Sequence, residues 1–349
     1  MTDYYNSIYS GAQIDEGVGR ALSGSAGINR NLLDNWYFGN PVDQRGGWVC
    51  PPNISYYDVW GGAVTGKTEQ YYVSTPTPGG YSDQYQITVN GAVKYVVKAH
   101  QRRGYTGEGY TIDRWRTHGN ATVTIGSDSL AFFASGDANI VQPLENALKE
   151  DTLLTFSVLN KTGTVYIRIR DTEWGDYGVS QRTGDGVVAV TGTIPKGKIP
   201  MVQIYSSQGE NIAVKAAKLE LGTQQTLAHQ DENGNWVLNE IPSYAEELAK
   251  CQRHQVVLGG LNRYRTITVG ADTLDFFVPT PVPMRAAPML VGVTSTIYNW
   301  ANNAVSTGFT LSVIAKADSG VYIRATKSAH GLTDARMDIP AGAILDANL

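Results

Sequence analysis

Three clusters in this sequence set flat aromatic rings beside hydrogen-bonding side chains, the pairing that suits a sugar. A pyranose offers C–H faces that pack on Trp and Tyr, and hydroxyls that need carboxylates, amides or guanidinium groups. The first cluster is Tyr56, Tyr57, Asp58 and Trp60. The second is Tyr105, Tyr110 and Trp115 with Arg114 and Arg116. The third is Asp171, Trp174, Asp176 and Tyr177 in DTEWGDYG. Tyr298 and Trp300, in TIYNWANN, stand ahead of a polar loop near the C-terminus. The candidate glycan-binding residues are therefore Trp174, Asp171, Asp176, Tyr177, Trp60, Tyr57, Tyr105, Tyr110, Tyr298 and Trp300. Trp115, within DRWR, reads as a core residue on a strand, and Trp36 in LLDNWYF reads as packed.

The acidic residues of DTEWGDYG admit a second chemistry. A glycosidase sets two carboxylates on either side of the bond it cuts. Asp171, Glu173 and Asp176 are the right residue types, but closeness in sequence does not fix that separation. Binding, cleavage and a plain turn all remain open for this loop.

Other chemistries are excluded or weak. There is no P-loop, GxGxxG, HExxH or GxSxG. His100, His118, His229, His254 and His330 lack metal-ligand spacing. Asp231 to Asn235 begins like a calcium loop, but Trp236 stands where the loop needs Gly, so a turn is expected. No catalytic residue, metal or cofactor is expected. Cys50 and Cys251 are too few for a disulfide framework, and Cys251 reads as a packed apolar residue.

The balance of 28 Lys and Arg against 32 Asp and Glu gives a net charge of −4, the wrong sign for a general nucleic-acid binder. Locally, Lys98, Arg102, Arg103, Arg114 and Arg116 outweigh Glu108 and Asp113. That patch suits either a solvated strand edge or an anionic ligand. No run of 18 apolar residues suggests a membrane span, and Met1 to Ser10 lacks the pattern of a signal peptide. Synthesis inside a cell with action outside after lysis fits these features.

The elements that must position these residues are nearly all strands. The 38 Gly, and 20 Tyr against 7 Phe, favour strands and turns. ATVTI and SLAFF flank a turn at Gly126 to Asp128, a hairpin signature. TLLTFSVL and TVYIRIR, joined at Asn160 to Gly163, read as another. In the second of these arms Val165, Ile167 and Ile169 face the core, while Tyr166, Arg168 and Arg170 face outward. GVVAVTGTI, MVQIYS and NIAVKAAKLEL continue the series. The expected fold is all-β: a jelly-roll β-sandwich over 29–222, followed by a smaller distal β-sandwich over 255–349. A short N-terminal helix lies within a leader at 1–28, its stripe Ile14, Val18 and Ala21 too short to stand alone. A connector over 223–254 holds a hairpin and the helix SYAEELAKCQR, with Ser243 as cap, Glu246 at the capping-box position, and Tyr244, Leu248 and Cys251 on its packing face. Four prolines between Pro279 and Pro288 forbid a central strand there.

Four stretches, in order, resemble one family. IYSGAQIDEGVGRAL resembles the leader of phage and prophage tail-fibre proteins. NRNLLDNWYFGNPVDQRG with GYTIDRWR is similar to the opening of their carbohydrate-binding-like jelly roll. KLELGTQQTLAHQDENGNWVLNEIPSYAEELAKCQR resembles the junction behind it, and DFFVPTPVPMRAAP the start of the distal tip domain. The resemblance implies a receptor-binding virion component at the distal end of a tail. It implies a homotrimer joined to a tail or baseplate protein through its N-terminus and touching a host cell-surface glycan or other receptor. The leader stripe would then meet its copies on the axis, and three copies would raise avidity. No catalytic constellation is shared across that family, and the alternatives to a receptor-binding fibre are a glycan-cleaving tailspike-type enzyme and a cellular sugar-binding module.

Overall fold

The computed structural model describes residues 29–49, 56–58, 67–73, 84–98, 102–134, 138–258, 262–292 and 296–348. The expected leader helix, Cys50 and Trp60 lie outside the described residues, and Tyr57 is placed by its backbone alone.

Among the described residues the chain is all-β apart from one helix, and its larger unit is a jelly-roll sandwich of two antiparallel sheets. One sheet has seven strands, in the order Trp48–Val49, Arg102–Thr106, Ala121–Ile125, Leu130–Ala134, Asn211–Leu221, Thr152–Thr162 and Gly186–Ile194. The other has six, in the order Asp176–Thr183, Thr164–Asp171, Pro200–Ser206, Asn139–Pro143, Arg116–His118 and Gly109–Tyr110. Alternation builds the core between them. Val165, Ile167, Ile169, Val202 and Ile204 point in from the six-stranded sheet, against Phe132, Leu154, Phe156, Val158 and Leu219 of the other. Trp115 is fully buried, its ring edge-on to Phe38 at 5.2 Å, and its Nε1–H donates to the Asn35 carbonyl at 3.0 Å. Trp36 is buried as well. Trp115 sits in the tight turn 111–115 ahead of the strand Arg116–His118, rather than on a strand itself.

The pairing of Thr152–Leu159 with Thr164–Arg170 as one hairpin does not occur. Thr152–Thr162 pairs with Gly186–Ile194 and Asn211–Leu221, whereas Thr164–Asp171 pairs with Asp176–Thr183 and Pro200–Ser206 in the opposite sheet. Both strands carry an apolar face, and placing them across the core from each other buries both faces at once. The corner is Gly163, with φ +75°; a Cβ there would stand 2.3 Å from the Asn211 carbonyl oxygen. The hairpin from Ala121–Ile125 to Leu130–Ala134 forms as the alternation predicts.

A further sheet joins Tyr56–Asp58, Ala92–Lys98, Gln84–Val89 and Lys67–Val73. After the sandwich, the small hairpin Ala228–Gln230 and Trp236–Leu238 packs Trp236 and Leu238 against the same core. Near it Lys218, fully buried, pairs with Glu240 at 3.3 Å. At the hairpin's tip Asp231 Oδ1 accepts from the N–H groups of Asn233 and Asn235 at 2.9 and 2.8 Å, which makes a turn.

The helix Tyr244–Gln252 is present, but the capping box is not. Ser243 makes no side-chain hydrogen bond to it, and Tyr244 is exposed. The buried positions are Glu247 and Cys251. Glu247 Oε2 accepts the Asn35 N–H at 2.5 Å, so the helix turns this face to the end of the first sandwich, where that donor needs an acceptor. Burial pushes the Cys251 thiol up, in keeping with a packing role.

A second apolar core gathers Leu274, Phe276, Val278, Val321, Ile323, Met337, Ile339 and Leu345. Around it lie a three-stranded sheet (Gln255–Val257, Ile344–Asp346, Met289–Val291) and a seven-stranded one that includes Asn262–Val269, Thr273–Pro279, Gly320–Thr326 and Ala335–Ile339. Residues 280–288, where the prolines cluster, form no strand.

Candidate functional site

The outward face of the six-stranded sheet carries the candidate site. In Thr164–Asp171 the residues alternate, so Tyr166, Arg168 and Arg170 stand outward. In Pro200–Ser206 the core takes Val202 and Ile204, which leaves Met201, Gln203 and Tyr205 outward. The register aligns these across strands. Arg168, Gln203, Val141, Arg116 and Tyr110 form one row. Tyr166, Tyr205, Asn139 and His118 form the next. Asp176, Arg170, Met201 and Pro143 form the third.

Two depressions lie on this face. One, of about 340 Å³, is lined by Tyr110, Arg116, His118, Val141, Met201 and Trp174, among others. The other, of about 320 Å³, is lined by Asn139, Tyr166, Arg168, Gln203 and Tyr205, among others. Both lie in the size range of small-ligand sites. Tyr166 and Tyr205 stack at 5.0 Å with 20° between their planes, and the Arg168 Nε–H donates to the Tyr205 hydroxyl at 3.1 Å.

Trp174 is held over the first depression by a built turn. Its φ is +68°, a region few non-glycine residues enter, and 44% of its surface is exposed. The Asp171 carboxylate holds the turn. Its Oδ1 accepts from the N–H groups of Glu173 and Gly175 at 2.9 and 2.8 Å, and its Oδ2 accepts from the Tyr177 hydroxyl at 2.7 Å. Burial alone pushes the Asp171 carboxyl up, but the bonds from Tyr177, Gly175 and Glu173 together with the Lys198 charge outweigh it and hold it below the usual range. The same bond, with burial, pushes the Tyr177 hydroxyl up to about 12. The indole meets the His118 ring edge-on at 5.1 Å, and the Arg170 guanidinium lies 5.4 Å from its centre.

Several polar atoms here have no protein partner. Gln203, only 6% exposed, has an unpartnered Oε1, and Asn139 an unpartnered Oδ1. Arg116 Nε and Arg170 Nε also lack one. Buried polar atoms are nearly always paired, so such a group of acceptors and donors on one face points to a polar ligand. The charges are shared rather than saturated. Asp176 serves both Arg168 and Arg170, at 3.3 and 3.5 Å, and Glu108 serves both Arg116 and His118, at 3.5 and 3.6 Å. Burial and the Arg116 charge pull the His118 pKa down against the pull of Glu108.

The sequence candidates therefore separate. Trp174 and Tyr110 come together at the first depression. Asp176 borders the face through its arginine pairs. Asp171 is buried and Tyr177 half-buried, and the hydrogen bond between them helps hold the turn that carries Trp174. Tyr105 is a structural pin on the other sheet, its hydroxyl bonded to Asp43 and accepting the Gly47 N–H at 3.2 Å. The basic patch also disperses. Arg114 is buried against Asp34 at 3.1 Å, Arg103 pairs with Asp43 at 2.7 Å, and Arg116 reaches the site. Tyr298 and Trp300 sit on the second sandwich, under Arg336 at 4.5 Å and Arg265 at 4.8 Å, with Trp300 exposed. Sequence reading misses Gln203, Tyr205 and Asn139 as site residues. Gln203 and Tyr205 are signalled by the outward phase of MVQIYS, whereas Asn139 opens a different strand, Asn139–Pro143, and joins them only through the register.

No family model matches the chain, and no curated protein matches it. Among solved structures, the chain is similar to an arabinose-bound α-L-arabinofuranosidase, MgGH51, at 11% identity and TM-score 0.25, covering 31% of this chain and 23% of that one. This chain thus spans under a quarter of that enzyme's length. It is also similar to the CBM22-1 xylan-binding domain from Paenibacillus barcinonensis Xyn10C, at 13% identity and TM-score 0.25, covering 34% of this chain and 92% of that one. The CBM22-1–CBM22-2 tandem of the same protein gives 12% identity and TM-score 0.25, covering 70% of this chain and 95% of that one.

Proposed function

We propose that this chain binds a glycan, without cutting it, on the outward face of the six-stranded sheet. The observation that carries this reading is Trp174, held exposed in a left-handed backbone conformation over the first depression, with the unpartnered amide oxygens of Gln203 and Asn139 at the second depression of the same sheet face. The indole and the Tyr rings offer surfaces for sugar C–H groups, and the amides and guanidinium groups meet hydroxyls. The cleavage alternative needs opposed free carboxylates. Asp171 is committed to three hydrogen bonds, and Asp176 is paired with two arginines.

The finer reading is a phage tail-fibre protein that recognises a host-surface glycan during adsorption. In it the chain forms a homotrimer in the virion tail, attached to a tail or baseplate protein through its N-terminus. Its support is the resemblance of LLDNWYFGNPV, EELAKCQR and the leader to that family. A glycan array probed with the full chain and with Trp174→Ala tests the binding. Light scattering at micromolar protein tests the trimer, and a monomer mass removes it.

A further inference from the structure

We infer that the glycan held on this face is anionic, carrying acidic groups on its sugar rings. The inference rests on the binding reading above and adds the class of ligand. Among the described residues, three arginines of this face, Arg116, Arg168 and Arg170, share two carboxylates, Asp176 and Glu108, and His118, its pKa held down, adds no cation to the count.

The second sandwich supplies an internal comparison. There Arg324 grips Asp275 through Nε and Nη2 at 2.7 and 2.8 Å, and Arg336 grips Asp338 through the same two atoms at 2.7 and 3.2 Å. Those are two-pronged pairs that use up the guanidinium fork. On the candidate face each arginine reaches its carboxylate through a terminal nitrogen at 3.3 to 3.5 Å, and that carboxylate is already shared. The Nε atoms of Arg116 and Arg170 are left buried and without a protein partner. An acidic group on the ligand would complete the forks that Asp176 and Glu108 leave open. The free Oε1 of Gln203 and Oδ1 of Asn139 accept hydroxyls, so the ligand bears both hydroxyls and negative charge. A neutral saccharide offers these guanidinium donors only hydroxyl and ring oxygens, which pair with the charged fork more weakly and without the two-pronged fit of a carboxylate or sulfate.

The test is a glycan array holding neutral, uronate-bearing and sulfated oligosaccharides, probed with the full chain. Titration of the best ligand and of its carboxyl-reduced or desulfated form then follows. The expected result is an acidic ligand whose affinity falls about tenfold or more on neutralisation. Arg170→Gln should lower affinity for the acidic ligand about tenfold with an unchanged melting temperature. A carboxylated or a sulfated winner each supports the inference and tells the two sources of charge apart. Neutral glycans bound as tightly as acidic ones, with Trp174→Ala still abolishing binding, would overturn the anionic inference and leave the binding face standing. Loss of all glycan binding, or binding indifferent to Trp174→Ala, would overturn the reading beneath it.

Discussion

The indole of Trp174 meets the imidazole of His118 edge-on, ring centres 5.1 Å apart, although one residue belongs to a turn and the other to a strand three places away in the sheet. The contact closes one wall of the larger depression with a ring that the core does not need. Trp174→Ala should therefore separate binding from folding. Thermal melting should shift little, because the side chain is half in solvent. Glycan affinity, read by titration calorimetry, should fall at least tenfold, as expected on removing a central aromatic platform.

Asp171 should behave oppositely, through the fold. Asp171→Ala strips three hydrogen-bond acceptances from the turn and is expected to cost about 2–4 kcal/mol. It should also weaken binding by loosening Trp174, and chemical denaturation with a parallel titration reads both effects.

The same carboxylate gives a pH dependence with a fixed sign. Its pKa is lower in the folded protein than in the unfolded chain. Its contribution is therefore complete above about pH 4, the ordinary carboxylate value, and is lost as pH falls through the lower folded value. The stability gap between wild type and Asp171→Asn should be constant near neutrality and shrink below pH 4. A gap that widens on acidification would contradict the assignment.

Much of the architecture was legible because alternation was strong. Val165, Ile167 and Ile169 declared one inward face and Tyr166, Arg168 and Arg170 one outward face, and the structure keeps both. Which strands pair across sheets was not legible, because a turn such as Asn160 to Gly163 reads alike whether the chain doubles back in its own sheet or crosses the core. That ambiguity hid the site. Gln203, Asn139 and Arg116 are far apart in sequence and become neighbours only through the cross-strand register. Trp174 was legible from its acidic, glycine-bearing surroundings. The separate duties of Asp171 and Asp176, five positions apart, depend on which carboxylate the turn folds around, and neighbouring residue types do not encode that.

Gln203 offers a finer probe of the second depression. Gln203→Leu keeps the volume and removes the unpartnered carbonyl oxygen. Because that oxygen has no protein partner, stability should change by less than about 1 kcal/mol, or rise. Glycan affinity should fall several-fold if the oxygen receives a sugar hydroxyl, as titration calorimetry would record.

Trp115 is the control for the core. Trp115→Ala should destabilise the first sandwich by about 3–5 kcal/mol, the range for emptying a large buried aromatic site. It also leaves the Asn35 carbonyl without its indole donor. Equilibrium unfolding in urea, followed by circular dichroism, measures the loss.

The most direct measurement is glycan binding by three folded full-length proteins on the same array: wild type, Trp174→Ala and Trp300→Ala. Both tryptophans are comparably exposed and lie beside arginines, but on different sandwiches. Retained binding by Trp300→Ala with loss in Trp174→Ala is the predicted result. Loss in Trp300→Ala with retention in Trp174→Ala, or no glycan held by the wild type, would contradict a binding face on the six-stranded sheet.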